Sequence, residues 1–421
     1  MTLSGIIIDI GPLRDSRAFR VVFTARLVSI FGLGFALVAL PLQVYAATGS
    51  SAAVAAVSAV NGGSVFGGTL VGGVLADRFA RRNLIVAGRA ASALAFTGLA
   101  LNALWPSPAA LAFICCCAAL NGFVGTFSAV ALQAAVPGLV APGKLAAAGA
   151  LLALTGQLGS VAAPALSGAI IALWGFPVVF AITAAVSALT TGLVCLLPPM
   201  APQGAPRSHP VGAALREGLR FATADRVVGP LLLLGFVQIL FATPYVLIPE
   251  LTDRVLGGGE ATAGLLYSAP AVGAVVASLG SGWTGRARRG GALLLGAVAL
   301  CGIASAGFGA APGIAAALAF LAVLGFAEII EEILRFSLLQ SHTPDALRGR
   351  VNSLWAAQST VGGSLGALTL GAVAPLIGPG AAIIVGGAVT AAAVAALAAL
   401  FPGLRRAGAG QAASPRPPVE S

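Results

Sequence analysis

The sequence predicts an all-α membrane protein of twelve transmembrane helices built as two six-helix pseudo-repeat halves, and three observations lead there. Apolar runs of about 20 residues, enough to cross a hydrocarbon core ~30 Å thick, recur along almost the whole chain. Of the 421 residues, 58% are hydrophobic and only 9% charged, with a mean hydropathy of +0.99. A soluble domain carries about 25% charged residues, so a water-soluble fold is excluded. Landmarks of the first half also return in the second at a constant spacing. The runs lack the alternation of transmembrane barrel strands, which makes the spans helices.

Apolar length and polar breaks place the spans near residues 19–46, 54–76, 84–104, 109–134, 145–172, 177–197, 229–250, 262–284, 291–311, 314–340, 347–376 and 380–401. Arg14 and Arg17 lie ahead of the first and Arg20 at its start, without the short apolar core and small-residue cleavage site of a signal peptide, so this helix is expected to stay as a signal anchor. Alternate loops hold Arg78, Arg81, Arg82, Lys144, Arg216, Arg220, Arg286, Arg288, Arg348 and Arg350, whereas the loops of the opposite side hold only Arg254. By the positive-inside rule both termini are cytoplasmic and the number of spans is even. The net charge of +10 thus reports topology, and no nucleic-acid partner is expected. Fifty-six glycines, some spaced as in Gly63 and Gly67 or Gly68 and Gly72, suit helices packed closely in lipid. The five cysteines (Cys115, Cys116, Cys117, Cys195, Cys301) fall inside apolar spans and show no metal-ligand or disulfide spacing. No metal and no cofactor is expected.

The longest break is rich in proline (Pro198, Pro199, Pro202, Pro206, Pro210) and divides the chain. Residues 1–197 form an N-terminal six-helix half and 198–228 a cytoplasmic linker with one surface helix over 211–222. Residues 229–401 form the C-terminal half, and 402–421 a disordered cytoplasmic tail. Gly73, Arg81 and Arg82 recur as Gly280, Arg288 and Arg289, each displaced by 207 residues, as are Pro137 and Pro344. Two parallel repeats of this kind belong to a large class of carriers and place a substrate site near the midplane between them. The sixth, ninth and twelfth spans carry no charged or amide side chain, so the third helix of each triplet is expected on the outside.

At the end of the second span, Gly73-Val74-Leu75-Ala76-Asp77-Arg78-Phe79-Ala80-Arg81-Arg82 resembles the loop signature of the major facilitator superfamily, with Ala80 where that family usually has glycine. Glycine admits a neighbouring helix, a carboxylate accepts from free N–H groups at a helix N-terminus, and the arginines hold the loop in the cytoplasm. The resemblance implies a cytoplasmic gate in which Asp77 latches the two halves. Thr284 stands where a second Asp77 would fall, which makes the latch one-sided. In the fifth span, Gly159, Pro164 and Gly168 resemble the glycine-proline motif of antiporters in the same superfamily, with Ala163 and Ser167 in place of glycines. Pro164 removes a backbone hydrogen bond and kinks its helix, which serves transport or packing alone.

The tenth span carries Glu328, Glu331, Glu332 and Arg335 along one face, with Glu331 and Arg335 spaced to pair. One cation against three carboxylates leaves at least one glutamate holding a proton unless it reaches water or a distant arginine. Arg26 of the first span is its natural partner. Glu328, the deepest, is the candidate for proton coupling; a structural ion-pair network is the competing reading. Gln43, Asn61, Asn121, Gln157, Gln238 and Tyr245 are candidate substrate contacts, or else helix-to-helix hydrogen bonds. Glu250, Asp253, Arg254 and Glu260 read as a solvated outer loop. His209 and His342 lie in loops, and no nucleophile elbow, metal motif or phosphate loop points to catalysis.

Longer segments are similar to the enterobactin exporter family of that superfamily: Phe19-Arg20-Val21-Val22-Phe23-Thr24-Ala25-Arg26-Leu27-Val28-Ser29-Ile30, Val71 to Arg78, Leu158 to Val161 with Pro164, Leu339 to Pro344, and Leu347-Arg348-Gly349-Arg350-Val351-Asn352-Ser353-Leu354-Trp355-Ala356-Ala357-Gln358. The resemblance implies the major facilitator fold and a monomeric carrier in the bacterial inner membrane. It also implies export of a catecholate siderophore from cytoplasm to periplasm by proton antiport with alternating access. Macrolide and other drug exporters share much of the pattern, so broad drug efflux is the alternative.

Overall fold

The computed structural model describes residues 10–105, 107–196, 211–282 and 289–408, with the side chains of Asp77, Ala134, Pro137, Pro142 and 211–215 outside that description. The described residues form helices and no strand. The membrane-crossing helices are α1 (Arg17–Thr48), α2 (Ser51–Arg78), α3 (Arg81–Leu104) and α4, which joins Ala110–Leu120, a π-helical turn Asn121–Gly125 and Thr126–Ala135. One helix, Leu145–Cys195, has 51 residues, ~76 Å at the α-helical rise and far longer than a ~30 Å core needs. It breaks at Gly175, whose φ of 80° and ψ of 175° are open essentially to glycine alone, and Pro177 restarts it. Residues 145–174 (α5) and 176–195 (α6) are therefore two spans, so eleven long apolar helices give twelve crossings among the described residues. Then come α7 (Val228–Arg254), α8 (Glu260–Gly280), α9 (Gly290–Gly309), α10 (Ile314–His342), α11 (Asp345–Ile377) and α12 (Pro379–Leu400).

Local chemistry sets the boundaries. Ser16 and Ser50 cap α1 and α2 by accepting from the backbone N–H of Phe19 and Ala53, and Gly49 closes α1 at a φ of 62°. Expected as one rod, α7 is instead interrupted: Val228–Phe241 stops before Pro244, a 3-10 turn Pro244–Leu247 follows, and Ile248–Arg254 resumes the helix.

Contacts group the chain into two compact units, one holding the described residues through 196 with Ile248–Ser268, the other those of 211–247 and 269–408. In the first, Val22, Ala25, Ala76, Leu84, Ile85, Ala131 and Val194 from five helices meet at one end. Gly67, Gly68 and Gly72 of α2 lie against Phe123 and Phe127 of α4, whereas a methyl at Gly63 or Gly73 would meet no described atom within 4 Å. The close approach expected at Gly73 is therefore absent among the described residues.

In the second unit α9 lies between α10 and α12, with a Cβ at Gly302 only 2.7 Å from the Gly387 carbonyl oxygen. The apolar stretch of α9 is 56% enclosed, against 22% for the more polar α2. Helix Val211–Ala224 docks on α11, where Glu217 pairs with Arg350 and Gly218 touches the Arg350 backbone. Pro402–Arg406, within the expected disordered tail, forms a helical turn that buries Leu404 against Gly291; residues 409–421 lie outside the described ones.

Candidate functional site

In the second unit, α10 separates its three glutamates into three environments. Glu328 accepts a hydrogen bond of 2.9 Å from the Tyr245 hydroxyl, which the 3-10 turn of α7 presents. Among the described residues Glu328 forms no ion pair. Glu331 and Arg335 form the expected i,i+4 ion pair and are 4% and 2% exposed. The Arg335 guanidinium fits against α7 only because residue 235 is glycine, since a methyl there would overlap its terminal atoms. Glu332, one residue further round, is exposed. The sequence treated the cluster as one group; neighbouring helices divide it.

The first unit contains a polar clasp that sequence reading missed. Glu250 is 4% exposed and accepts from the hydroxyl of Ser51, itself 1% exposed, at the start of α2. Arg254 reaches Glu250 at 3.2 Å, donates from Nε to the Tyr45 hydroxyl at 3.1 Å and from Nη2 to the Gly49 carbonyl at 3.4 Å. Tyr45 also lies 3.5 Å from an Asp253 carboxylate oxygen. The solvated loop expected here is thus corrected for Glu250, which the N-terminal end of α2 takes out of water. A readable signal existed: Glu250 falls within the last turn of an apolar run, with Arg254 four residues on.

The fifth-span motif faces two neighbours in the same unit. Gly159 abuts the Ile30 side chain of α1, Pro164 is buried, and a Cβ at Gly168 would stand 2.7 Å from the Gly264 Cα of α8. At the loop after α2, Arg78 is exposed, Arg81 is buried, and Arg82 donates from Nη2 to the Cys195 carbonyl at 2.8 Å. That bond places a cation on the free carbonyls at the C-terminus of α6. The side chain of Asp77 and residues 283–288, including Thr284, lie outside the described ones.

Arg26 is half-buried, and its Nε has no hydrogen-bond partner among the described residues. Of the candidate substrate contacts, Tyr245 is joined to Glu328. Asn61 lies at the crossing of α2 and α4, where a Cβ at Gly122 would stand 2.8 Å from its carbonyl oxygen, and Asn121 opens the π-helical turn of α4. Gln43 and Gln238 are buried, Gln43 with its Oε1 lacking a hydrogen bond among the described residues, and Gln157 is half-buried.

Three comparisons agree with this architecture. The sequence profile of the Major Facilitator Superfamily matches residues 22–367. The enterobactin exporter EntS of Shigella boydii serotype 18 (strain CDC 3083-94 / BS512) is 36% identical over 373 residues, 89% of each chain, and that of Escherichia coli O1:K1 / APEC matches to the same extent. Among solved structures, a POT family transporter in complex with 5-aminolevulinic acid superposes with a TM-score of 0.74 at 14% identity, covering 92% of this chain and 97% of its own. The nucleoside transporter NupG superposes with a TM-score of 0.72 at 15% identity, covering 91% and 99%. With its helices, its intramembrane charges and these likenesses together, the chain is a multi-pass transporter of small molecules, not an enzyme, and belongs to the major facilitator superfamily, in the family that holds the enterobactin exporters.

Proposed function

We propose that this protein exports a catecholate siderophore of the enterobactin kind from cytoplasm to periplasm across the bacterial inner membrane, in exchange for protons and by alternating access. It would act as a monomer with both termini cytoplasmic. The likeness to the enterobactin exporters supports the cargo and the direction.

The observation that carries the coupling is the bond between Glu328 and Tyr245. Because Tyr245 is neutral, Glu328 can gain or lose a proton without stranding a buried cation. Glu331 cannot: neutralising it would leave Arg335 unpaired in a buried site, which costs about 3–5 kcal/mol. Glu328 is thus the proton carrier in this reading, with Glu331 and Arg335 as its fixed surroundings and Glu332 and Arg26 as further intramembrane charges.

Gly73, Asp77, Arg78, Arg81 and Arg82 form the cytoplasmic gate, and Gly159, Pro164 and Gly168 the antiporter-like bend of α5. Tyr45, Ser51, Glu250 and Arg254 hold the outer ends of α7 and α8 down when the outside is closed. Gln43, Asn61, Asn121, Gln157, Gln238 and Tyr245 supply hydrogen bonds along the substrate path.

The test is uptake of iron-free enterobactin into everted membrane vesicles under an imposed proton gradient. Glu328→Gln should abolish gradient-driven uptake while leaving the protein folded and able to bind enterobactin; full gradient-driven uptake by this variant would refute the coupling. A deletion strain that secretes siderophore at the normal rate under iron limitation, yet becomes macrolide-sensitive, would replace the cargo with a drug.

A further inference from the structure

Glu332 differs from its neighbours in its exposure and in what surrounds it. At about 100° per residue, and with Glu331 as zero, Arg335 and Glu328 lie near 40° and 60°, Glu332 near 100°, Gly325 near 120° and Phe336 near 140°. Arg335 and Glu328 face α7, through Gly235 and Tyr245. Gly325 faces α8, where a methyl would overlap the Pro270 backbone. Glu332 therefore projects between the side of α10 that α7 covers and the side that α8 covers, and it is exposed there.

Depth decides what it is exposed to. Glu332 lies ten residues, ~15 Å, before the end of α10 at His342, inside an apolar helix of 29 residues, longer than a ~30 Å core needs. A carboxylate facing lipid within a span is strongly unfavourable, whereas one facing water in the transport path is not. No described residue forms an ion pair or hydrogen bond with it. One turn further, Phe336 is 49% exposed, and its ring packs on Trp355 of α11 with centroids 6.1 Å apart at 38°. An acceptor-only carboxylate thus stands beside an aromatic pair.

We infer that Glu332, Phe336 and Trp355 form a substrate-recognition patch for an aromatic ring bearing hydrogen-bond donors, with the ring stacked on Phe336 and Trp355 and its donors bonded to Glu332. This rests on the export reading above, in which the donors are catechol hydroxyls; the same carboxylate would take the ammonium of a basic drug. Ring stacking and carboxylate acceptance are both satisfied by a catechol, whose two hydroxyls match two carboxylate oxygens. Glu332 is therefore a specificity residue, separate from the coupling residue Glu328.

The test is equilibrium binding to the purified full-length protein in lipid nanodiscs, with iron-free enterobactin and the macrolide erythromycin as the two probes. For enterobactin, Glu332→Gln should weaken binding at least tenfold, Glu332→Asp should recover part of the loss, and Phe336→Leu and Trp355→Phe should each weaken it about threefold. Should Glu332→Gln fold poorly, Phe336→Leu and Trp355→Phe carry the test. Unchanged enterobactin binding by the folded variants overturns the patch and leaves the export reading standing. Binding of erythromycin, which has no aromatic ring, but not of enterobactin by the wild type overturns both the aromatic patch and the siderophore reading, and a tenfold loss in Glu332→Gln would then leave Glu332 as the partner of the drug's ammonium alone. Binding of neither probe by the wild type overturns both.

Discussion

Replacing Ser51 by alanine isolates the charge-assisted contact of the clasp, which the proposed topology puts on the periplasmic side. Its hydroxyl and the Glu250 carboxylate are almost fully enclosed, at 1% and 4% exposure, so their hydrogen bond is charge-assisted and shielded from water. A bond of that kind contributes about 1.5–3 kcal/mol. The neighbouring pair of Arg254 with Glu250 adds less, because the Arg254 side chain is 57% exposed and screened by water. Losing the Ser51 bond should therefore shift the balance between docked and undocked α7–α8 hairpin by roughly 10- to 150-fold. Thr252 is buried beside the clasp, so Thr252→Cys, a near-isosteric change, reports undocking. In intact cells, and in a background lacking the five native cysteines, a membrane-impermeant maleimide should label Cys at 252 at least tenfold faster when Ser51→Ala is added. Equal labelling rates with and without Ser51→Ala would refute the clasp as the closure of the outer side.

Three further outcomes follow from packing and charge. Gly235→Ala should displace the Arg335 guanidinium and loosen its buried pair with Glu331, which a lowered thermal midpoint of the detergent-purified protein would register; an unchanged midpoint would mean that the pair tolerates displacement. Gly175→Ala should cost about 1–3 kcal/mol, because its φ of 80° with ψ of 175° is essentially closed to alanine, and the yield of folded protein should fall accordingly. Tyr245→Phe removes a hydrogen bond to a carboxylate worth about 1.5–3 kcal/mol and should slow gradient-driven uptake about tenfold or more without changing protein abundance; wild-type rates would show that the hydroxyl does not serve Glu328.

Much of the fold was legible because lipid imposes a strict rule: a crossing segment must satisfy its own backbone, so length and hydropathy reveal it. The α5–α6 break was also readable, since Gly175 and Pro177 punctuate an otherwise unbroken apolar stretch. The interruption of α7 was missed, although Pro244 and Pro249 mark it, because its apolar content continues through the 3-10 turn. Pairing within one helix was recoverable from spacing, as Glu331 with Arg335 shows. Pairing between helices was not: nothing local distinguishes Tyr245, which reaches Glu328, from Gln238, which lies buried seven residues earlier in the same span.

By itself the sequence determined the number of crossings, the two-fold repeat, the membership of a transporter family and the presence of costly charges in α10, because each is a matter of composition, spacing or motif along one dimension. Tertiary structure alone decided what those charges are. Burial against Gly235 sets Arg335 beside Glu331, a phenol from α7 bonds Glu328, which forms no ion pair among the described residues, and Glu332 is left exposed. It also turned Glu250 from a loop acid into the centre of a buried clasp with Ser51. The physical reason is common to both: a carboxylate's behaviour depends on the few atoms within hydrogen-bond reach, and those atoms come from residues distant in the chain.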